Sequence, residues 1–251
     1  MKTINYILVT AIVLSFSSCM QQPKEKEITE TTSQQAYEYM TTARLTVSES
    51  KRLIAKGISA NKEVKDRLEN GIVIITLGTT NTYLAEELAG LSTPRGSFVT
   101  GRIFPSSKED FAKGMKRLSE IVLMKGKPVD ISYADALSRM NAKDIVFKGA
   151  NMVNYAKRQA AVCVGAPDGG TVAKLRKYTD RGKGRWIVPV GLEKETTQDL
   201  FEMQKLTNGD TPRGKGTVRL NVTQGNIYTE IEALKEFADV DVHVTAKGGV
   251  D

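Results

Sequence analysis

Gly71-Ile72-Val73-Ile74-Ile75-Thr76-Leu77-Gly78-Thr79-Thr80-Asn81-Thr82, running directly into Tyr83-Leu84-Ala85-Glu86-Glu87-Leu88, reads as a buried strand, a tight hydroxyl-rich turn and the start of a helix. An unbroken Ile/Val run offers water no polar face, so it predicts a strand covered on both sides. The turn beyond it puts the first backbone N–H groups of a helix at the strand's carboxyl end. Those groups are unpaired and together carry roughly half a positive charge, which suits a phosphate or a carboxylate. The stretch therefore predicts a fold class and a kind of ligand together.

Strands and helices alternate outward from it. Strands are expected over Glu120–Met124, Asp144–Lys148, Ala160–Val164 and Arg185–Val190, and helices over Tyr133–Met140, Gly170–Tyr178 and Thr196–Leu206. Continuously apolar strands separated by helices imply α/β architecture: an open, mainly parallel, Rossmann-like sheet flanked by helices. In such sheets ligands sit beyond the carboxyl ends of the strands, where Gly78–Thr82 falls. The domain is expected to start near Ser48, where Ser48-Glu49-Ser50 offers N-cap hydroxyls, and to run over residues 48–206. Residues 207–251, with strands at Thr217–Val222 and Val240–Thr245 around a helix at Thr229–Phe237, form either a small C-terminal α+β lobe or the last part of the same domain.

Residues 1–19 combine Lys2, an apolar run from Ile7 to Leu14 and Ser15-Phe16-Ser17-Ser18-Cys19. The segment resembles a bacterial lipoprotein signal, whose apolar core is too short to span a bilayer and whose cysteine becomes the lipidated first residue. That resemblance implies lipidation at Cys19, a lipid-held membrane contact and a place in the bacterial cell envelope. Without the signal reading, the chain is expected in the cytoplasm. Residues 20–47, rich in Gln, Lys, Glu, Thr and Ser, read as a flexible tether.

The 251-residue chain carries 36 Lys and Arg against 29 Asp and Glu. The basic residues are scattered and aromatics make up 6% of the chain, so nucleic acid is not an expected partner. Phosphorylated or carboxylated ligands are. One histidine, His243, and no Cys-X-X-Cys argue against a metal site. No Gly-X-X-X-X-Gly-Lys-Ser/Thr occurs, and no cofactor is expected. Cys163, in Ala160-Ala161-Val162-Cys163-Val164, reads as a buried, inert thiol. Nothing in the composition excludes a homo-oligomer.

Three Gly-containing turns follow apolar strands: Gly78-Thr79-Thr80-Asn81-Thr82, Lys148-Gly149-Ala150-Asn151-Met152-Val153-Asn154, and Gly165-Ala166-Pro167-Asp168-Gly169-Gly170-Thr171. Their order and content resemble the superfamily of ribose-5-phosphate isomerase A, glucosamine-6-phosphate deaminase and the CoA transferases. The first turn is similar to the isomerase's Gly-Thr-Gly-Ser-Thr loop, which holds the sugar phosphate. The second lies over its Asp-Gly-Ala-Asp-Glu-Val-Asp segment, and a Gly-rich turn opening a helix follows in both. The resemblance implies an anion held by Gly78, Thr79, Thr80, Asn81 and Thr82, with Lys148, Gly149, Asn151, Gly169, Gly170, Thr171 and Lys174 completing the site.

Departures bear on activity. Asn151 and Asn154 stand where the isomerase has carboxylates, and a carboxamide takes up no proton at useful pH. The Lys before the isomerase's catalytic Glu is missing, and no Glu follows in Thr171–Asp180. The leading expectation is an anchored, exported protein that binds a small anion. One alternative is an isomerase, hydrolase or acyl transferase using Asp168 as its catalytic carboxylate, or a late Glu such as Glu193. A second is a non-catalytic interaction protein.

Overall fold

A computed structural model describes residues 6–14, 37–94, 96–100, 113–210, 212, 214 and 217–248. In chain order the elements are β1 (Tyr6–Leu14), β2 (Tyr37–Thr46), α1 (Val47–Ala60), α2 (Lys62–Asn70), β3 (Ile72–Ile75), α3 (Thr79–Ala89), β4 (Ile121–Met124), β5 (Lys127–Pro128), α4 (Tyr133–Arg139) and β6 (Ile145–Phe147). There follow β7 (Met152–Asn154), β8 (Gln159–Val164), α5 (Gly170–Thr179), β9 (Arg185–Pro189), a single 3-10 turn (Leu192–Lys194), α6 (Leu200–Asn208), β10 (Arg219–Gln224), β11 (Ile227–Tyr228), α7 (Glu230–Lys235) and β12 (Val240–Gly248).

The main sheet has six strands in the order β11-β9-β6-β3-β4-β5. From β11 to β3 all pairs are parallel, and β4 and β5 add an antiparallel edge. The fold is the expected α/β one. Alternation along β3 and β6 divides the core between two faces. Val73, Ile75, Ile145 and Phe147 pack with Ile54, Ile58, Val64 and Leu84 from α1, α2 and α3. Ile74 and Val146 face the other way, onto Ala136 and Leu137 of α4 and Val172 and Leu175 of α5. Both faces are thus covered, which is why these strands carry no polar side.

Four elements differ from the sequence expectation. Glu120–Met124 was expected in a parallel sheet, and β4 instead runs antiparallel to β3. Ala160–Val164 does not enter the main sheet: β8 pairs with β7 and β10 in a separate antiparallel sheet. A parallel crossover needs a dozen or more residues and usually a helix, and the link from Phe147 to Gln159 is long enough only for a hairpin. Tyr37–Thr46, placed in the tether, is a strand, consistent with its Tyr and Thr content. Its last residue caps α1: Thr46 Oγ1 accepts from Glu49 N and Thr46 N donates to Glu49 Oε2, so the cap lies two residues before Ser48.

Tyr6–Leu14, which contains the apolar run Ile7 to Leu14, pairs antiparallel with β2 and β12. Cys19 lies outside the described residues. The segment from residue 207 is distributed through the fold: β10 completes the small sheet, β11 extends the main one, and α7 packs on α1. A Cβ on Gly57 would sit 2.5 Å from the Ala233 Cα, so only glycine lets α1 approach α7 this closely. No helix among the described residues is long and apolar enough to cross a membrane.

Buried Asp144 joins the amino ends of β3 and β6. One carboxylate oxygen accepts from Ile72 N at 2.8 Å, and the other accepts from Asn141 N at 2.8 Å. Removing it leaves two part-buried N–H groups without their acceptor. Asp144→Ala is expected to lower unfolding free energy by about 2–4 kcal/mol. Urea unfolding checks this, and a change within experimental error would remove Asp144 from the account of sheet assembly.

Candidate functional site

The carboxyl ends of β3 and β6 and the turn after β8 meet around a crevice of about 440 Å³. All three Gly-containing turns contribute to its walls. Gly78, Thr79, Thr80 and Asn81 line one side, Lys148, Gly149, Ala150 and Asn151 the middle, and Gly169, Gly170 and Thr171 the other.

Helix α3 starts on this crevice with no side-chain cap. Its first N–H groups are therefore free of side-chain acceptors, the condition under which a helix end holds an anion. Buried Asn81 positions that end from below. Its Nδ2 donates to Thr76 O at 2.7 Å and to Phe147 O at 3.0 Å, binding the start of α3 to the ends of β3 and β6. Thr82 Oγ1 donates back to Gly78 O at 3.1 Å, within the turn, and is not on the crevice wall. Helix α5 also begins at the crevice. Gly169 there has φ +78° and a Cβ would meet the Ala173 Cβ at 2.6 Å, so the turn requires glycine twice over.

Two lysines carry the site's charge. Lys148 follows β6, and its Nζ lies 3.5 Å from Leu77 O, at the limit of hydrogen bonding. Its carbonyl is fixed by Trp186 Nε1 at 2.8 Å. Burial pulls the Lys148 amine below the ordinary lysine range, and the Glu120 carboxylate returns it part of the way. Lys194, at the end of the 3-10 turn, donates from Nζ to Ala150 O at 2.9 Å. Burial lowers its pKa as well, against the through-space pull of Glu193, Glu230 and Cys163. Neither lysine forms an ion pair with a described residue. No Asp, Glu or His is found among the described residues lining the crevice.

The other sequence candidates have structural roles. Asp168 is exposed, off the crevice wall, and accepts from Gly170 N at 2.9 Å as a turn residue. Lys174 is exposed on α5, away from the crevice lining. Asn151 Oδ1 accepts from Cys163 N at 2.9 Å. Asn154, buried in β7, donates to Thr197 O and Gln198 O and accepts from Lys157 N. A carboxylate there could not donate to those two carbonyls, so the amide is matched to its hairpin.

Lys194 is absent from the sequence reading because Glu193-Lys194-Glu195 has the look of a solvated charge run. The 3-10 turn folds it inward, and the two Glu193 oxygens are buried without a hydrogen-bond partner. Cys163, half-buried, lies on the crevice wall with its thiol pushed up by burial. A second depression is lined by Tyr155, Leu192, Glu195, Ile231, Val242 and His243, and its lysine, Lys247, is already paired with Glu195. Comparison with family models, curated proteins and solved structures found no match for this chain.

Behind Lys194, Glu230 is fully buried; Ser50 Oγ donates to it, and Leu192 N donates to both its oxygens at 3.2 and 3.0 Å. Burial, with Glu193 beside it, pushes its pKa up from 4.5 to about 7. The folded chain therefore keeps a proton that the unfolded chain releases between those values. Glu230's contribution to stability is fully present below pH 4.5, is lost as pH rises to about 7, and is absent above. The fall attributable to Glu230 is at most about 3 kcal/mol. Unfolding measured from pH 4.5 to 7.5 should show that loss, and Glu230→Gln should flatten it; an unchanged slope in the variant would assign the titration elsewhere.

Proposed function

We propose that the crevice binds a small phosphorylated or carboxylated ligand. The observation that carries this reading is half-buried Lys148, which has no ion-pair partner among the described residues, set on the crevice where α3 opens without a cap. A cation partly withdrawn from water is costly unless something compensates it, and an anion bound between Lys148 and the α3 N–H groups does so. No described residue on the wall offers a carboxylate or imidazole to move a proton, which favours binding over isomerase-type chemistry. The resemblance of the first turn to a sugar-phosphate loop supports the same ligand class. We further propose that the chain is exported and anchored by a lipid on Cys19. The intact mass of the protein purified from its native membrane should then correspond to residues 19–251 plus lipid, and an unprocessed Met1 would refute export by this route.

The ligand prediction is read by thermal unfolding with ribose 5-phosphate, inorganic phosphate and dicarboxylates. A ligand at a hundredfold excess over its Kd adds about 2.7 kcal/mol, several degrees for a chain of this size. At least one should produce that shift. Lys148→Met, which removes a buried charge, should abolish the shift without lowering the ligand-free Tm. The shift should also weaken as pH rises through the depressed lysine pKa, because the neutral amine no longer attracts an anion. No shift with any anion at millimolar concentration would contradict the reading and favour an interaction protein.

A further inference from the structure

The two lysines do not serve one point in the crevice. β6 lies between β9 and β3 in the sheet. Lys148, at the end of β6, turns its amine toward the β3 side, to Leu77 O. Lys194, which follows β9, turns its amine to Ala150 O, close to Cys163 at the end of β8. Their anchoring carbonyls continue neighbouring strands, so the amines stand on the order of one to two strand spacings apart, about 5–10 Å. An anion placed against the α3 end beside Lys148 leaves the neighbouring strand end, where Lys194 donates to Ala150 O, open to a second anionic group. Cys163 does not neutralise Lys194, since its thiol is kept protonated by burial. Glu193 and Glu230 act on Lys194 from the 3-10 turn and α7 without an ion pair, and neither reaches the crevice wall. Between the two amines the wall is Gly149, Ala150 and Val162, small and uncharged, with room for a short carbon skeleton.

Building on the anion reading above, we propose that the crevice takes one ligand with two anionic groups, the first at the α3 end with Lys148 and the second beside Lys194. Phospho-carboxylates and bisphosphates of sugar size have this form. The same anion at both ends is not required, because both sites are built from a cation and backbone rather than from a shaped cage.

The test is titration calorimetry of the full chain with matched pairs that differ by one charged group: glycerol 3-phosphate against 3-phosphoglycerate, and fructose 6-phosphate against fructose 1,6-bisphosphate. The doubly anionic member of at least one pair should bind about tenfold tighter or more. Lys194→Met should reduce that affinity to the level of the singly anionic partner and leave the partner's own affinity unchanged, while Lys148→Met should weaken both. Equal affinity within both pairs, or equal weakening of both members by Lys194→Met, would overturn the second subsite and leave a single-anion crevice. Absence of binding by all four compounds would overturn the anion reading itself.

Discussion

The carbonyl of Phe147 is where the architecture converges. It accepts from Thr76 N at 3.0 Å, from Thr76 Oγ1 at 2.9 Å and from Asn81 Nδ2 at 3.0 Å. The first of these continues the parallel β3–β6 pairing one residue past the ladder, and the last fastens the first turn of α3 to it. The end of β6 therefore cannot move without taking α3 along. Lys148, the next residue, is delivered beside the uncapped helix end by the same bond set. Because Asn81 is fully buried, its amide spends both donors on these strand-end carbonyls, Thr76 O and Phe147 O, while its own Oδ1 is left without a partner. Asn81 thus fixes the crevice end of α3 through backbone placement.

Around that joint the electrostatics are one-sided. Helix dipoles, unpaired N–H groups and two amines all present positive potential to the same small volume, and burial strengthens each by removing water. The carboxylates that balance the lysines elsewhere in the molecule, Glu193 and Glu230, stand behind the wall. Such a layout is costly to desolvate, and the proposed anion would relieve it. The molecule stores that imbalance in a rigid place, at the ends of parallel strands packed on both faces.

Much of this was legible in the residues. The Ile72–Ile75 run marked a strand covered on both sides, and the Gly78 turn marked the end at which a ligand would sit. Lys148, Gly149, Gly169 and Gly170 were placed at one crevice by the recurrence of the same turn pattern after three strands. What escaped reading had local causes that sequence periodicity does not carry. Strand direction at β4 depends on a connection through residues with no regular pattern. The hairpin of β7 and β8 depends on loop length, which was too short for a crossover. Lys194 looked like part of a solvated charge run because its burial comes from a tertiary event, the folding of one 3-10 turn beneath the second Gly turn. Asp168 and Lys174 looked like site residues because turns and helix starts favour the same residue types that ligands do.

The central claim is that two lysine amines stand on the crevice wall with no ion pair to a described residue and are met there by an anion. NMR titration of the chain with 13C-dimethylated lysines measures it directly. The account predicts two resonances, removed by Lys148→Met and Lys194→Met respectively, that titrate below the ordinary value of 10.5 in the free protein and move up toward it when phosphate is added. Two amines that titrate near 10.5 and ignore phosphate would contradict it.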